Sequence, residues 1–392
     1  MTKANRSRLP SRWAGFCLSV AMQVSVARAE GPVPTLLPER PESILPTWTR
    51  HLDGALYSVA WTSDSHEMAV GGHGTIWRYR CPEFYEEAQL RADQGDVSGL
   101  AFSPGNVALV SGGRDGIIRF WVEGKISRQF TQGSWVLDLG WEPRSGTLAA
   151  IDESGLVKFW GRNGAQEASI QLNGNGLALD WSPLGGYLAV STGQDGSSVA
   201  EIEAAQARIR WQRQDVPPDY HPPFGYGRDE VNGVAFSPDG QLIASTHQDG
   251  RLLIWRADNG QKVAAVQVHG QGVAGARRVA WSPDQRWICS CGEDGTVNLV
   301  PYPKLDGRLQ LLAENRPVWS VRFSPDGKYL AAVGDGGEVW VWEVPPAEEA
   351  SGGSPLAQSP RHHLTLSPST TIPRIGHRQT PAPTARKHWW FW

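Results

Sequence analysis

The chain has 392 residues, 40% of them hydrophobic and 20% charged, with 37 Lys and Arg against 40 Asp and Glu for a net charge of −3. So even a balance sets up no general field for nucleic acid or an anionic membrane, and no basic stripe interleaved with aromatics appears outside the last few residues. Four cysteines are too few to staple a disulfide fold, whereas 19 Trp, 44 Gly and 28 Pro imply large packed aromatics set between many turns.

At the N-terminus, Lys3, Arg6, Arg8 and Arg12 precede a modest apolar run, Ala14 to Met22, and Ala27-Arg28-Ala29 fits a small-residue cleavage site. Ser19, Gln23 and Ser25 interrupt that run. A cleaved signal peptide, an arm of no fixed structure and a true start at Met22 each account for the same residues. The segment is too short and too polar for a permanent membrane span. Residues 1–43 are therefore taken as an N-terminal arm or signal peptide, and Ser43 to His51 has strand character.

From there the chain repeats. A short strand-like segment ends in a bulky aromatic seven times, at Trp61, Phe102, Trp141, Trp181, Phe236, Trp281 and Phe323, and in most copies Ser-Pro follows. The gaps are 41, 39, 40, 55, 45 and 42 residues. A period near 40 marks equal supersecondary units. No such unit buries its own apolar face, so the copies must pack on one another, and seven can close into a ring. The copy from Val231 is the plainest. Val231, Val234 and Phe236 mark a first strand, Ser237-Pro238-Asp239-Gly240 is turn chemistry, and a second strand runs Leu242 to Thr246. Asp249-Gly250 is a hairpin signal, followed by a third strand, Leu252 to Trp255, and a fourth, Lys262 to Val268. The copy from Tyr57 is the most eroded around its turns.

The SPDG turn, the Asp-Gly turn and the Trp at fixed offset after it (Asp115 to Trp121, Asp249 to Trp255) resemble the WD-repeat β-propeller family over residues 44–346. No copy has Asp directly after that Trp, and the Gly-His pair that opens a standard repeat is absent, with only Arg50-His51 and Val268-His269 near it. The resemblance thus implies that the hydrogen-bond chain locking a standard blade is incomplete in every copy, with only its turn member recurring (Asp115, Asp195, Asp249, Asp294). It also implies the fold: all-β, a seven-bladed β-propeller of four-stranded antiparallel blades. The N-terminal strand closes the ring by supplying the outer strand of blade seven, where the chain turns away at Pro345-Pro346. Eight tryptophans (Trp61, Trp77, Trp121, Trp141, Trp160, Trp181, Trp255, Trp281) fall at positions that pack blades together. Residues 347–392, rich in Pro, Ser, Thr, Arg and His, form a tail without a core. Its end, Lys387 to Trp392, carries four aromatics beside a cation and reads as a docking peptide, a membrane-interface anchor or a sequence without selected function.

Partners of the family usually bind the face made by the loops entering each first strand and the turns between second and third strands. The residue after the first apolar position of strand one faces the mouth of the central channel: Ser58, Ser98, Leu137, Leu177, Asn232, Arg277 and Trp319. Two residues earlier stand Asp96, Trp135, Asn175 and Glu230, and before the turn Asp stand Arg114, Gln194, Gln248 and Glu293. Aromatic and Arg anchors in a polar surround have the make-up of an interaction hot spot. The 55-residue gap adds a loop on the same face, Arg213 to Arg228, whose prolines stiffen it and whose Tyr220, Phe224 and Tyr226 offer contact area. The partner-binding set is thus Ser58, Ser98, Arg114, Trp135, Asn232, Glu230, Arg277, Trp319, Tyr220, Phe224 and Tyr226.

No nucleophile elbow, zinc helix, phosphate loop or loop of spaced acids is present. His247 and Glu293, in equivalent turns of adjacent copies, come nearest to an acid–base pair. Cys289 and Cys291 share a strand face, but a metal pair would need two more ligands. The expectation is a non-catalytic, cytoplasmic scaffold for protein partners, a monomeric ring without cofactor, metal or nucleic acid. The alternatives are a periplasmic or secreted TolB-like propeller, should residues 1–29 be a signal peptide, and a propeller enzyme or small-ligand binder at the central channel.

Overall fold

A computed structural model of the chain describes residues 36–37, 39, 44–194, 197–215, 230–270, 275–314 and 316–346. The expected signal segment, Asp195, the aromatics of the 213–228 loop and the tail from residue 347 lie outside them. Among the described residues there are 26 β-strands, a 3-10 turn at Ala204–Gln206 and no α-helix.

The strands follow the copies. Strand β1 is Trp48–His51; copies one and two comprise β2 (Leu56–Trp61), β3 (Glu67–Arg80), β4 (Tyr85–Phe102), β5 (Leu109–Gly113), β6 (Ile117–Val122) and β7 (Lys125–Thr131). Copy three holds β8 (Val136–Trp141), β9 (Leu148–Asp152), β10 (Leu156–Trp160) and β11 (Gln166–Gln171). Copy four holds β12 (Asn175–Trp181), β13 (Tyr187–Gly193), β14 (Ser198–Glu203) and β15 (Arg208–Arg213). Copy five holds β16 (Val231–Phe236), β17 (Leu242–His247), β18 (Arg251–Arg256) and β19 (Lys262–Gln267). Copy six holds β20 (Ala276–Trp281), β21 (Trp287–Gly292), β22 (Thr296–Pro301) and β23 (Leu309–Ala313). Copy seven ends the series with β24 (Val318–Phe323), β25 (Tyr329–Gly334) and β26 (Glu338–Glu343).

Copies three to six are four-stranded antiparallel meanders, and in the sheet of copy seven β1 occupies the outer edge, in the order β1-β26-β25-β24. There β1 runs antiparallel to β26, with Trp48 opposite Val341 and His51 opposite Glu338. Copies one and two are joined through long strands into a series β2 to β7, yet each keeps four strand segments. Within β3 the chain doubles back at His73-Gly74, where Gly74 takes φ 66°: the Cys81 N–H donates to the His66 carbonyl at 2.8 Å, and Arg78 Nη2 lies 2.7 Å from Glu67 Oε2. Residues 68–72 pair with β2 and residues 75–80 with residues 85–91 of β4, whose residues 97–102 pair with β5. In copies two and five the corresponding turn is held by an Asp whose Oδ1 accepts a backbone N–H two residues on, Asp115 from Ile117 and Asp249 from Arg251, each at 3.0 Å.

The Ser-Pro-Asp-Gly turn is a closed hydrogen-bond device. Ser237 Oγ donates to Asp239 Oδ1 at 2.6 Å and accepts the Leu242 N–H at 2.9 Å, while Asp239 Oδ1 accepts the Gln241 N–H at 3.0 Å. Ser282 with Asp284 and Ser324 with Asp326 repeat it, each at 2.6 Å. The last turn position takes a positive φ, 69° at Gly240 and 74° at Gly327, which glycine adopts freely; copy six places Gln285 there at 60°.

More of the blade-locking hydrogen bonds exist than the turn member alone. In copy six, His269 Nδ1 lies 3.0 Å from Asp294 and its Nε2 2.8 Å from Ser290 Oγ. In copies two and five the other half of the chain is present: Trp121 Nε1 donates to Ser111 Oγ and Trp255 Nε1 to Ser245 Oγ, both at 2.8 Å. In copy three a glutamine stands in for the imidazole, Gln132 Nε2 donating to Asp152 Oδ2 at 3.1 Å. An amide can mimic one ring N–H, so the dipeptide signal was lost while the bond was kept.

The core is divided between neighbours. Six apolar clusters of buried residues each lie between two copies adjacent in the series. The remaining one joins Trp61, Met68, Val70 and Trp77 of copy one to Ala331, Val333 and Val341 of copy seven, with Trp48 of β1 against it. Of the eight expected packing tryptophans, seven are buried and Trp141 is half-buried.

Candidate functional site

Each first strand carries a β-bulge near where it begins to pair with the second, one residue from the start of β2, β8, β16, β20 and β24, two from that of β12, and after Val97 within the long β4. The register slips between Leu56 and Ser58, Val97 and Gly99, Val136 and Asp138, Gly176 and Ala178, Val231 and Gly233, Ala276 and Val279, and Val318 and Ser320. A bulge sets two residues against one and re-aims the extra side chain. In copies two to seven that position is the predicted one: Ser98, Leu137, Leu177, Asn232, Arg277 and Trp319. In copy one it is Tyr57, and the expected Ser58 sits one residue beyond. Leu56, not Tyr57, is the first apolar position there. Ser58 is buried, and its hydroxyl donates to the Val97 carbonyl at 2.7 Å.

The predicted residues gather into two groups. In the first, the Arg114 guanidinium lies 5.3 Å from the centre of the Trp135 ring and 3.4 Å from Asp96 Oδ2. Trp135 Nε1 donates to Ser98 Oγ at 3.0 Å, and Ser98 donates on to the Val136 carbonyl. In the second, Asn232 Nδ2 donates to Gln248 Oε1 at 2.8 Å and to the Ala276 carbonyl at 2.9 Å. Arg277 donates to Asn232 Oδ1 at 3.2 Å, pairs with Glu293, and stacks 5.2 Å from the Trp319 ring. Trp319 Nε1 donates to Asp335 Oδ1 at 3.3 Å. Arg114 is exposed, while Trp135, Glu230, Arg277 and Trp319 are half-buried. Ser98 and Asn232 are buried with their polar atoms spent inside the protein, so they hold the anchors rather than offering surface. Tyr220, Phe224 and Tyr226 lie outside the described residues.

His247 and Glu293 do not meet as acid and base. His247 is buried with Nε2 3.0 Å from Ser245 Oγ, and Glu293 takes the Arg277 guanidinium. Cys289 and Cys291 are free, fully buried thiols. Burial pushes both thiols up, that of Cys291 to about 12, so neither is a thiolate at neutral pH. Among the described residues no group of three His, Cys, Asp or Glu is placed to hold a metal ion, and no helix is long and apolar enough to cross a membrane.

Sequence reasoning missed the interior of the first strands. Side chains two apart on a strand share a face, and two such levels stand out. The level just after the bulge reads Ser58, Gly99, Asp138, Ala178, Gly233, Arg278 and Ser320; the level just before the anchor reads Ala60, Ala101, Gly140, Asp180, Ala235, Ala280 and Arg322. Each level is five small residues, one Asp and one Arg. At the first level Arg278 reaches 140 positions back to pair with Asp138 at 2.7 Å, and it donates also to the Leu137 carbonyl at 3.1 Å. Asp138 further accepts the N–H of Leu139 at 2.9 Å and of Leu179 at 3.2 Å. At the second level, Asp180 Oδ2 accepts the Phe236 N–H at 2.7 Å. Burial pushes its carboxyl up to about 6 against the opposing pull of Arg322 and that N–H. The signal was available: charges inside strands whose equivalents in the other copies carry Ala, Gly or Ser.

Comparison with known proteins bears on the family. A model of the anaphase-promoting complex subunit 4 WD40 domain matches residues 234–304, and the WD domain, G-beta repeat, matches residues 85–122 and 308–343. The meiotic recombination protein rec14 of Schizosaccharomyces pombe is 35% identical over 111 residues, which cover 28% of this chain and 35% of that protein. Actin-interacting protein 1 of Drosophila melanogaster is 25% identical over 215 residues, 52% of this chain and 33% of the relative. WD repeat-containing protein 1 of Gallus gallus is 25% identical over 208 residues, 50% and 32% respectively. The chain thus spans about a third of the length of these curated relatives.

Proposed function

Since the chain is a member of the WD40-repeat family, we propose that residues 44–346 form a single seven-bladed ring, closed by β1, that acts as a non-catalytic scaffold for protein partners. The partner surface in this reading is the face where the first strands begin, together with the loop carrying Tyr220, Phe224 and Tyr226. Its observation is the bulge at the same place in all seven first strands, which turns one side chain per copy toward that face. Trp135 and Trp319, each stacked with an arginine and each tied by its indole N–H, are large anchors already held in place. Preformed aromatic and Arg anchors lose little freedom on binding, which is what hot-spot residues need. The core cluster joining copy seven to copy one and the pairing of β1 with β26 support the closed ring.

The test is affinity purification from the native host followed by mass spectrometry. It compares the intact chain with a Trp319→Ala, Arg277→Ala variant that also has residues 217–226 replaced by Gly-Ser. A stoichiometric partner should bind the first and be weakened at least ~30-fold on the second, as the loss of anchors worth about 2 kcal/mol or more implies. Circular dichroism should be unchanged. Equal retention on both would move the interface off this face and overturn the reading.

A further inference from the structure

The two charged levels inside the first strands differ in one respect. Asp138 and Arg278 close on each other, whereas Asp180 and Arg322 do not form an ion pair, and the Arg322 guanidinium makes no hydrogen bond to any described residue. Both side chains line a cavity of about 390 Å³, walled by Trp61, Phe102, Trp181 and Phe323. The space exists because Ala60, Ala101 and Gly140 stand at the same level and reach nowhere near the axis. Its lining includes Pro143, Pro183 and Pro325, in the turns that follow the first strands. That is the end away from the strand-entry face, so a ligand there is independent of the scaffold surface proposed above.

The half-buried Arg322 guanidinium has lost part of its water and gained no protein acceptor, which leaves its donors open to a ligand. The volume lies at the lower end of small-ligand sites, and a mostly apolar recess with a few convergent polar groups is the usual form of one. Beside it, the buried indole N–H of Trp141, another lining residue, has no acceptor, whereas those of Trp61 and Trp181 reach the neighbouring strand's carbonyls at Arg322 and Gly140. A simple anion would face the Asp180 carboxylate as well as Arg322; a simple cation would face Arg322 as well as Asp180. One charge of each sign with an apolar wall matches a ligand that carries both.

We propose that this cavity binds a small zwitterion with an apolar side group, of the α-amino-acid class. Its carboxylate lies on Arg322, its ammonium on Asp180 and its side group against Trp61, Phe102 and Phe323.

Isothermal titration of the full-length protein with L-phenylalanine, L-leucine and L-tryptophan tests this, with phenylacetate and phenethylamine as analogues lacking one charge each. At least one amino acid should bind at millimolar concentration or below, and each analogue should bind the site about tenfold more weakly or worse, the loss of one charge-assisted contact. Arg322→Gln and Asp180→Asn should each weaken the amino acid by a similar factor. Ala101→Leu, which fills the cavity from the opposite wall without touching a charge, should abolish binding and keeps the test decisive if a charge variant fails to fold. Absence of heat with all three amino acids would overturn the proposal. So would phenylacetate binding as tightly as L-phenylalanine, or Ala101→Leu binding like the parent.

Discussion

The Asp138–Arg278 pair links strands of copies three and six, and the two partners should not be equally costly to remove. Their side chains are 7% and 14% exposed. Breaking a buried pair from one side costs about 3–5 kcal/mol because a charge is left unpaired. Arg278→Leu leaves Asp138 with two of its three donors, the N–H groups of Leu139 and Leu179. Its cost should therefore fall below that range, to about 2–3 kcal/mol. Asp138→Leu leaves the guanidinium with the Leu137 carbonyl alone and strips the acceptor from both N–H groups, so about 4–5 kcal/mol is expected. In the double variant no charge remains, and only the two stranded N–H groups count, about 2–3 kcal/mol. Urea denaturation followed by tryptophan fluorescence reads all three. The predicted order is Asp138→Leu worst, with the double variant no worse than Arg278→Leu. Additive losses, or Arg278→Leu costing more than Asp138→Leu, would refute the reasoning, since either result means that the charges do not compensate each other.

His269→Ala removes buried contacts to Asp294, Ser290 and Thr296 and should cost about 2–3 kcal/mol in the same assay. A loss under ~1 kcal/mol would show that copy six is not held by this chain of bonds. Burial pushes the Asp294 carboxyl up, but the hydrogen bond and charge of His269 and the donors of Thr296 outweigh it and hold it below its usual 3.8. A depressed carboxylate adds stability that is present above pH 3.8 and lost as the pH falls through the lower folded value. Acid titration of stability should thus be shallower in His269→Ala than in the parent; an identical acid limb would count against the link. Gln285→Gly relieves a residue held at φ 60° and should stabilise by about 0.5–1 kcal/mol, read as a higher denaturation midpoint; a lower one would mean that the glutamine side chain does more than occupy the turn.

What the sequence made legible was local. The Ser-Pro-Asp-Gly turn closes on its own side chains, so Ser237 to Gly240 could be placed from four letters, and the strands expected in copy five differ from β17, β18 and β19 by a residue at most ends. Register was less accessible. Tyr57 was passed over for Ser58 because a bulge is set by the pairing strand, and the apolar pattern of β2 alone fits either start. The turn between the middle strands of copy one was also hard to read, since His73-Gly74 stands where copies two and five carry Asp-Gly, and only the pairing of Cys81 with His66 shows that the chain doubles back there. Contacts between distant copies were the least accessible, since Asp138 and Arg278 lie 140 residues apart and neither strand predicts its partner.

Repetition nevertheless supplies a comparison that a single strand lacks. Aligning seven copies on their anchors turns each position into seven answers to one packing problem. At these two levels of the first strands the answer is Ala, Gly or Ser in five copies, and in the proposed ring, where first strands crowd together, small residues are what fit. A charge placed there loses part of its water, so it needs a partner. Asp138 and Arg278 supply partners for each other. Asp180 and Arg322 occupy the same relation one level down without meeting, and the unfilled volume between them is what distinguishes a structural pair from a binding site.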